Sequence, residues 1–338
     1  MIAFCIRAVA LIFSLWCAAL LLFTWPEFGR ATAIVVAVLG AAAVPAWRWA
    51  GFFRGLWLAA IAACLVWWNR ITPSNERNWK PSVEILPYAE INGDEITVHN
   101  IRNFHYRSES DFDRNYYDKK FNLSEISGVD VFTSYWSSDL IAHIMVSFAF
   151  REEDFIAFSI ETRNEESESY STWGGFFRQY ELTFVAADER DLIGLRTTHR
   201  QPNEQVYLFR TATKLENAQR FFLSYIERIN QLKEAPEFYN TMTTNCSTSV
   251  LLCTSAFPNK IPVTWQVFVS GFFPEYLYGL GTLDKNYSLE DLKGLGHVNQ
   301  RSVQAGYADD YSLRIRAGVP RRQPLPLPSK SAITSSIR

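Results

Sequence analysis

The apolar positions of this chain fall into two regimes. In the first 70 residues they run together without alternation: Ala8–Trp25, Ala31–Trp47 and Gly55–Trp68 are three uncharged apolar runs. The first two approach the roughly 20 residues that a bilayer-spanning helix requires. The third spans if Arg54 snorkels to the interface. The pattern predicts N-terminal transmembrane helices over residues 1–70, three in preference to two. Beyond Trp68 the runs shorten and begin to alternate. Ile96–Phe104, Val129–Trp136, Leu140–Phe150, Phe155–Arg163, Tyr180–Ala186 and Gln205–Arg210 are β-branched or aromatic and read as strands. Lys214–Lys233 follows a helical period, with Phe221, Phe222, Tyr225, Ile226 and Ile229 on one side and Pro236 after its end. Further helices are predicted to begin near Cys246 and near Trp265. Residues 71–317 therefore read as one α+β domain with a largely antiparallel sheet and packed helices. Residues 318–338, Pro-rich, basic and without an apolar pattern, read as a disordered tail.

Charge sets the predicted orientation. The first 70 residues hold five arginines (7, 30, 48, 54 and 70) and one acid, Glu27, so a chain of net charge −2 carries −6 in the remainder. With three spans, Arg7 and the Arg48/Arg54 loop stay cytoplasmic and everything after Trp68 is exported. The expected location is a bacterial inner membrane with the soluble domain facing the periplasm. Two spans would leave that domain inside. A mildly acidic domain argues against nucleic acid as a partner, because phosphate binding needs a basic footprint. Cys5, Cys17 and Cys64 lie in the predicted membrane segments, which leaves Cys246 and Cys253. On one helix these two stand about 10 Å apart, beyond the about 7 Å that a disulfide bridges, so both are predicted to be free thiols. The chain has no HExxH, CxxC, G-x-S-x-G or glycine-rich phosphate loop; no metal or cofactor is predicted.

Cys246 carries the candidate chemistry. In "YNTMTTNCSTSVLLC" (Tyr239–Cys253), Thr243, Thr244 and Asn245 are N-cap residue types and Val250-Leu251-Leu252 form an apolar helix body. Cys246 then sits in the first turn, where the helix dipole favours thiolate and free backbone N–H groups near Ser247 offer an oxyanion hole. Cys253, two turns on, is the bland counterpart, a small buried residue. A thiol nucleophile needs a base, and the chain has five histidines. His99, His105, His199 and His297 lie in polar or loop-like stretches. His143 lies in the strand "DLIAHIMVSFAF", whose even positions are all apolar and whose odd positions include His143 and Ser147. In "FIAFSIETR" the odd positions are Ser159, Glu161 and Arg163. The four-residue connection "REED" predicts a hairpin. For both apolar faces to lie on one side, paired residue numbers must sum to 304 or 306, since a one-residue slip flips every side chain. Either register sets Glu161 opposite or diagonal to His143. The plain alternative is a satisfied polar face in which Glu161 pairs with Arg163.

At these residues the chain resembles the Lnb-type periplasmic domain family, named for a lipoprotein N-acyltransferase and similar to the circularly permuted papain-like (NlpC-type) superfamily. The resemblance runs from about Trp79 to Leu283. It rests on "NIRNFHYR", "AHIMVSFAF", "FSIETR", "FFRQYELTFVAADERDLIGLRT", "FYNTMTTNCST" and "GFFPEYLYGLG". It implies a circularly permuted papain-like domain behind the transmembrane helices, with His143, Glu161 and Cys246 catalytic in that order. Tyr239 and Asn245 match the family's Tyr and Asn-Cys signature. Asn245, Ser247, Ser159, Arg163 and Tyr239 are the expected surrounding or oxyanion residues. The implied activity is acyl transfer or hydrolysis through a thioester, on a lipid or lipoprotein acyl group. Membrane lipids, with lipoproteins or peptidoglycan peptides, are the expected partners. "GGFFRQY" (Gly174–Tyr180) and "SGFFPEYLYGLG" (Ser270–Gly281) supply aromatics, a few of which serve an acyl route if one exists while most read as core, as aromatic runs usually do. Two other readings stand beside it: an NlpC-type amidase on cell-wall peptides, and a non-enzymatic binding or assembly protein. One feature departs from the family's namesake, whose exported domain precedes its membrane helices, whereas here the apolar runs come first.

Overall fold

The computed structural model describes residues 2–24, 51–320 and 322. It opens with two helices, α1 (Ile2–Thr24) and α2 (Gly51–Arg70). Strands β1 (Tyr88–Asn92), β2 (Glu95–Arg102), β3 (His105–Tyr106), β4 (Phe112–Asp113), β5 (Tyr116–Asn122), β6 (Ile126–Tyr135), β7 (Ala142–Phe150), β8 (Asp154–Arg163) and β9 (Glu181–Ala187) follow. Helix α3 (Glu189–Gly194) runs into a π-helical turn at Leu195–His199 and leads to β10 (Gln205–Thr211). The remainder is helical: α4 (Leu215–Glu234), α5 (Cys246–Cys253), α6 (Trp265–Phe268), α7 (Phe273–Gly279), α8 (Leu289–Gly296), α9 (Asn299–Ala305) and α10 (Tyr311–Ile315). These elements form two compact units that do not follow chain order. One holds the residues up to Lys80 with Thr162–Leu182 and Pro236–Thr241; the other holds Pro81–Glu161, Thr183–Ala235 and the chain from Met242.

In the smaller unit, α1 and α2 pack on one another. Trp57 Nε1 donates to Ser14 Oγ at 2.9 Å and Trp16 meets the edge of Trp68 at 5.5 Å. Phe23 stacks on Phe177 at 5.5 Å, and Arg178 donates to the Trp68 carbonyl at 2.8 Å. The predicted N-terminal transmembrane helices are overturned here: no helix among the described residues is long and apolar enough to cross a membrane. Arg7 limits the uncharged part of α1 to Ala8–Thr24, and Arg54 and Arg70 limit that of α2 to Gly55–Asn69. At 1.5 Å per residue these reach roughly 26 and 22 Å, short of the about 30 Å of a hydrocarbon core. The run Ala31–Trp47 lies outside the described residues, as does most of the 318–338 tail. The fold class that stands is mixed α+β.

The larger unit is built on a sheet of order β1-β2-β9-β8-β7-β6-β10, with β5 also pairing β2. Its neighbours β1/β2, β2/β5, β6/β7, β7/β8 and β6/β10 are antiparallel, and β2 meets β9 in parallel at Arg102↔Ala187. The β7–β8 ladder runs from Phe150↔Asp154 to Met145↔Ser159, so paired numbers sum to 304. The connection is three residues, Arg151 to Glu153, of which Arg151 and Glu152 take positive φ of 53° and 59°.

Both faces of this sheet are buried. On the even face, Phe148 is fully buried and its ring meets Phe158, Phe221, Phe222 and Tyr225 at 5.9, 5.5, 5.1 and 5.5 Å. The apolar stripe of α4 supplies three of those four rings, which is why that helix forms as an amphipathic element. On the odd face, Met145 and Ala157 join a core that includes Leu192, Ile193, Val298, Ala305, Tyr311 and Ile315, from α3, α9 and α10. Polar residues on this face are paired under the helices. Ser147 Oγ donates to Glu189 at 2.5 Å, Arg316 bonds Glu189 at 2.6 Å, and Arg316 Nε donates to Asp130 at 2.9 Å. Replacing Phe148 by Ala removes the hub of the even-face ring cluster. Loss of a large aromatic from a packed core costs about 3–5 kcal/mol, read as a lower urea midpoint at unchanged slope. An unchanged midpoint would show that the ring cluster is not the core of this unit.

Candidate active site

The site is assembled where β7 and β8 part. Beyond Met145↔Ser159 the pairing ends, and the next residues on each strand are free to meet other groups. His143 Nε2 lies 2.6 Å from Ser159 Oγ, and Ser159 Oγ donates to Glu161 Oε1 at 2.6 Å. The direct His143–Glu161 separation is 3.9 Å. The carboxylate therefore reaches the imidazole through a serine hydroxyl, one residue step at a time along the odd face. Arg196, from the π-helical turn after α3, closes the line: its Nη2 is 2.8 Å from Glu161 Oε1 and its Nη1 donates to the Leu192 carbonyl at 2.9 Å. Arg196 is 2% exposed. Glu204 stands on its other side, with Oε2 3.7 Å from Arg196 Nε, and is itself held by Ser134 and Arg200.

The strand end that carries His143 is pinned from a distant segment. Ala142 N–H donates to Ser270 Oγ at 3.0 Å, and Gly271 N–H donates to the Leu140 carbonyl at 3.0 Å. A Cβ on Gly271 would stand 2.0 Å from the Asp139 carbonyl, so only glycine allows this approach. Phe273, Tyr276 and Leu277 of the same segment are buried core rather than a lining, while Trp265 and Phe268 of α6 are more than half exposed. Gly174–Tyr180 belongs to the smaller unit.

Cys246 is the first residue of α5, as its sequence context predicts. Asn245 is the N-cap: its Oδ1 accepts from the Ser247 and Thr248 N–H groups at 3.0 and 2.9 Å, and Thr248 Oγ1 accepts from Asn245 N–H at 3.0 Å. Ser247, expected to offer an oxyanion donor, thus has its N–H in the cap, and its hydroxyl donates to the Val267 carbonyl at 2.6 Å. The sulfur of Cys246 lies 4.0 Å from the Ala142 carbonyl oxygen, and the Ile144 N–H points at it. It thus rests on the two peptide groups that flank His143. Among the described residues no hydrogen bond joins sulfur and imidazole. Arg163 does not pair with Glu161; it donates to Asn75 Oδ1 at 2.8 Å and lies over the Trp79 ring at 4.3 Å, within the smaller unit. Tyr239, also of that unit, is buried and donates its N–H to the Tyr180 carbonyl at 3.0 Å.

Electrostatics fix the proton positions. Burial alone would raise the Glu161 pKa, but Arg196, His143 and Arg102, with the Ser159 hydroxyl, hold it well below the usual carboxylate range. Burial, reinforced by Arg196, pushes His143 down to about 4 against the opposing pull of Glu161. At neutral pH Glu161 is therefore an acceptor only, so the Ser159 proton points to it. Ser159 must then accept from His143 Nε2–H, which leaves the Nδ1 lone pair free. Burial raises the Cys246 pKa, and the N–H groups of Ile144, Ser247 and Cys246 only partly offset it. The thiol form holds at rest, opposite to what the helix position alone predicts. Cys253 is 5% exposed and burial pushes its thiol up to about 12.

Arg196 and Glu204 were not anticipated from the sequence. The signal available was weak: an arginine following the apolar helix "DLIGL" inside a segment rich in acids.

His143 has a consequence for stability. Its native pKa of about 4 lies below its ordinary value of 6.5, so between these pH values the unfolded chain binds a proton that the native protein does not. Stability on this account is complete above 6.5 and is lost as pH falls toward 4. His143→Gln should shrink the gain in urea stability between pH 5 and 7 by up to about 2 kcal/mol relative to the parent. Equal pH dependence in the two proteins would place the native imidazole pKa near its ordinary value.

No curated protein and no solved structure matches the chain. Residues 112–271 match the family model of the Lnb N-terminal periplasmic domain. That segment contains His143, Ser159, Glu161, Arg196 and Cys246 together, and over it the chain is similar to the Lnb N-terminal periplasmic domain family.

Proposed function

We propose that this protein is a periplasmic cysteine acyltransferase or hydrolase that works through an acyl-thioester at Cys246. The observation that carries the reading is the seat of the sulfur. It touches the peptide groups on both sides of His143, whose imidazole is oriented by the Ser159–Glu161 line. The Cys246 sulfur attacks an ester or amide carbonyl carbon while its proton passes to His143 Nδ1, and a C–S bond forms. His143 returns that proton to the departing alcohol or amine as the C–O or C–N bond breaks. An amine or water next attacks the thioester, gives its proton to His143, and the sulfur leaves and is reprotonated. The order His143, Glu161, Cys246 along the chain supports kinship with permuted papain-like enzymes.

A lipid or lipoprotein acyl group is the substrate class this reading favours over a cell-wall peptide. Leu140 and Ile141, which lead into Ala142, are 55% and 45% exposed, and Trp136, Trp265 and Phe268 are exposed as well. A polar peptide gains nothing from such a rim, whereas an acyl chain gains about 0.8 kcal/mol for each methylene it buries.

The test uses a long-chain acyl probe with a thiol-reactive group. Labelling is expected in the parent and in Cys253→Ser, absent in Cys246→Ser, and lowered about 100-fold in His143→Gln. Labelling that survives Cys246→Ser and disappears in Cys253→Ser overturns the assignment.

A further inference from the structure

The hydrogen-bond line at the site has a direction, and one residue outside it decides which. We propose that Arg196 is the positioning residue that orients the line Glu161–Ser159–His143, and thereby fixes the ring nitrogen on which His143 carries its proton. This rests on the reading of His143 as the proton carrier for Cys246.

Only geometry and donor chemistry are needed. Ser159 Oγ is within 2.6 Å of both Glu161 Oε1 and His143 Nε2, and its single proton serves one of them. With Arg196 Nη2 at 2.8 Å, Glu161 stays a carboxylate and can only accept. The serine proton goes to Glu161, His143 keeps its proton on Nε2, and Nδ1 offers a lone pair. Without Arg196, a carboxyl taken out of water holds its own proton. It then donates to Ser159, Ser159 donates to His143 Nε2, and the imidazole proton moves to Nδ1. The lone pair needed by the thiol is lost although no atom of the triad has been changed. The other charged groups facing this line are Arg102, toward Glu161, and Glu204 and Arg200, toward His143. Arg102 is already bound to Asp191 through three contacts of 2.6 to 3.0 Å, and Arg200 to Glu204 and Glu109. None of these replaces Arg196. Its Nε makes no hydrogen bond and lies 3.7 Å from Glu204 Oε2, so the short contacts of the guanidinium are those to Glu161 and Leu192.

The experiment reads the tautomer directly. In full-length protein with ¹⁵N-labelled histidine at neutral pH, two-bond ¹H–¹⁵N correlations are assigned to His143 by their loss in His143→Gln. The parent should show protonated Nε2. Arg196→Met should move the proton wholly or partly to Nδ1 and slow Cys246 alkylation by iodoacetamide about tenfold or more. Arg196→Lys, which keeps the charge, should restore the parental tautomer. Ser159→Ala, which cuts the line but leaves the Arg196–Glu161 pair, should release the preference for Nε2, and it covers the case in which Arg196→Met does not fold. A parent with Nδ1–H, or a folded Arg196→Met or Ser159→Ala protein with an unchanged tautomer, overturns the inference. The tautomer is read without turnover. A probe that never labels Cys246 therefore overturns the proposed function alone, and an unmoved tautomer overturns this inference alone.

Discussion

A carboxylate taken out of water pays several kcal/mol in lost solvation, and Glu161 remains charged in its partly covered position because Arg196 stands 2.8 Å away. From that pair the rest of the site follows in sequence. An ionised Glu161 draws the Ser159 proton, Ser159 accepts from His143, and the imidazole is left with one orientation and one free nitrogen. The pair itself depends on the β7–β8 register. A sum of 304 puts Ser159 and Glu161 on the face of His143, and a slip of β8 by one residue would turn both to the side of the sheet opposite His143.

The same device recurs across the odd face. Asp191 is buried and takes Arg102, the Phe104 N–H and the Tyr106 hydroxyl. Asp130 and Glu189 are buried and share Arg316, while Arg322 also reaches Asp130 at 2.8 Å. A sheet–helix interface with this many acids would ordinarily face water. Here each acid meets an arginine, and the guanidinium fork satisfies several lone pairs at once. That allows α3, α9 and α10 to cover the face and to bring Arg196 within reach of Glu161. Breaking any one of these pairs leaves an uncompensated buried charge, which costs more than the intact pair contributes.

Much of this was legible in the chain and some was not, for physical reasons. The six strands read from alternation and the helix after Lys214 lie within a few residues of the observed β2, β6, β7, β8, β9, β10 and α4, because each has an apolar face that must be buried. Parity, together with the short connection "REED", narrows the hairpin register to two values. The start of α5 at Cys246 was legible in its cap residues. The short helices after Ser288 were not anticipated, since α9 and α10 span two turns or fewer and carry no clear period. Arg196 could not be found for a different reason: the arginine that pairs with a given acid is chosen by tertiary contact, and Arg163, two residues from Glu161, was nearer in sequence but serves Asn75 and Trp79. The apolar N-terminal runs gave the opposite error. Apolarity alone does not distinguish a bilayer span from a helix pair that packs on itself, as α1 and α2 do through Ser14, Trp16, Trp57 and Trp68.

The protonation state of Cys246 shows which of two opposing effects prevails. A helix N-terminus stabilises an anion by about 0.3–1 kcal/mol at the surface and up to about 2 kcal/mol in a partly buried geometry. Removing a charged group from water costs several kcal/mol. Three backbone N–H groups and Arg196 favour the thiolate, yet burial outweighs them and the pKa rises. His143, neutral for the same reason, matches it: two uncharged partners at a strand end, where an ion pair would have to form in a poorly solvated place. Such a resting thiol is protected from adventitious oxidation and alkylation, which act on thiolate. In the proposed function, its activation would belong to the moment when an acyl carbonyl occupies the site. On that proposal, as the C–S bond formed, negative charge would leave sulfur for the carbonyl oxygen, and the proton would move to the nitrogen that the Glu161–Ser159 line has kept free.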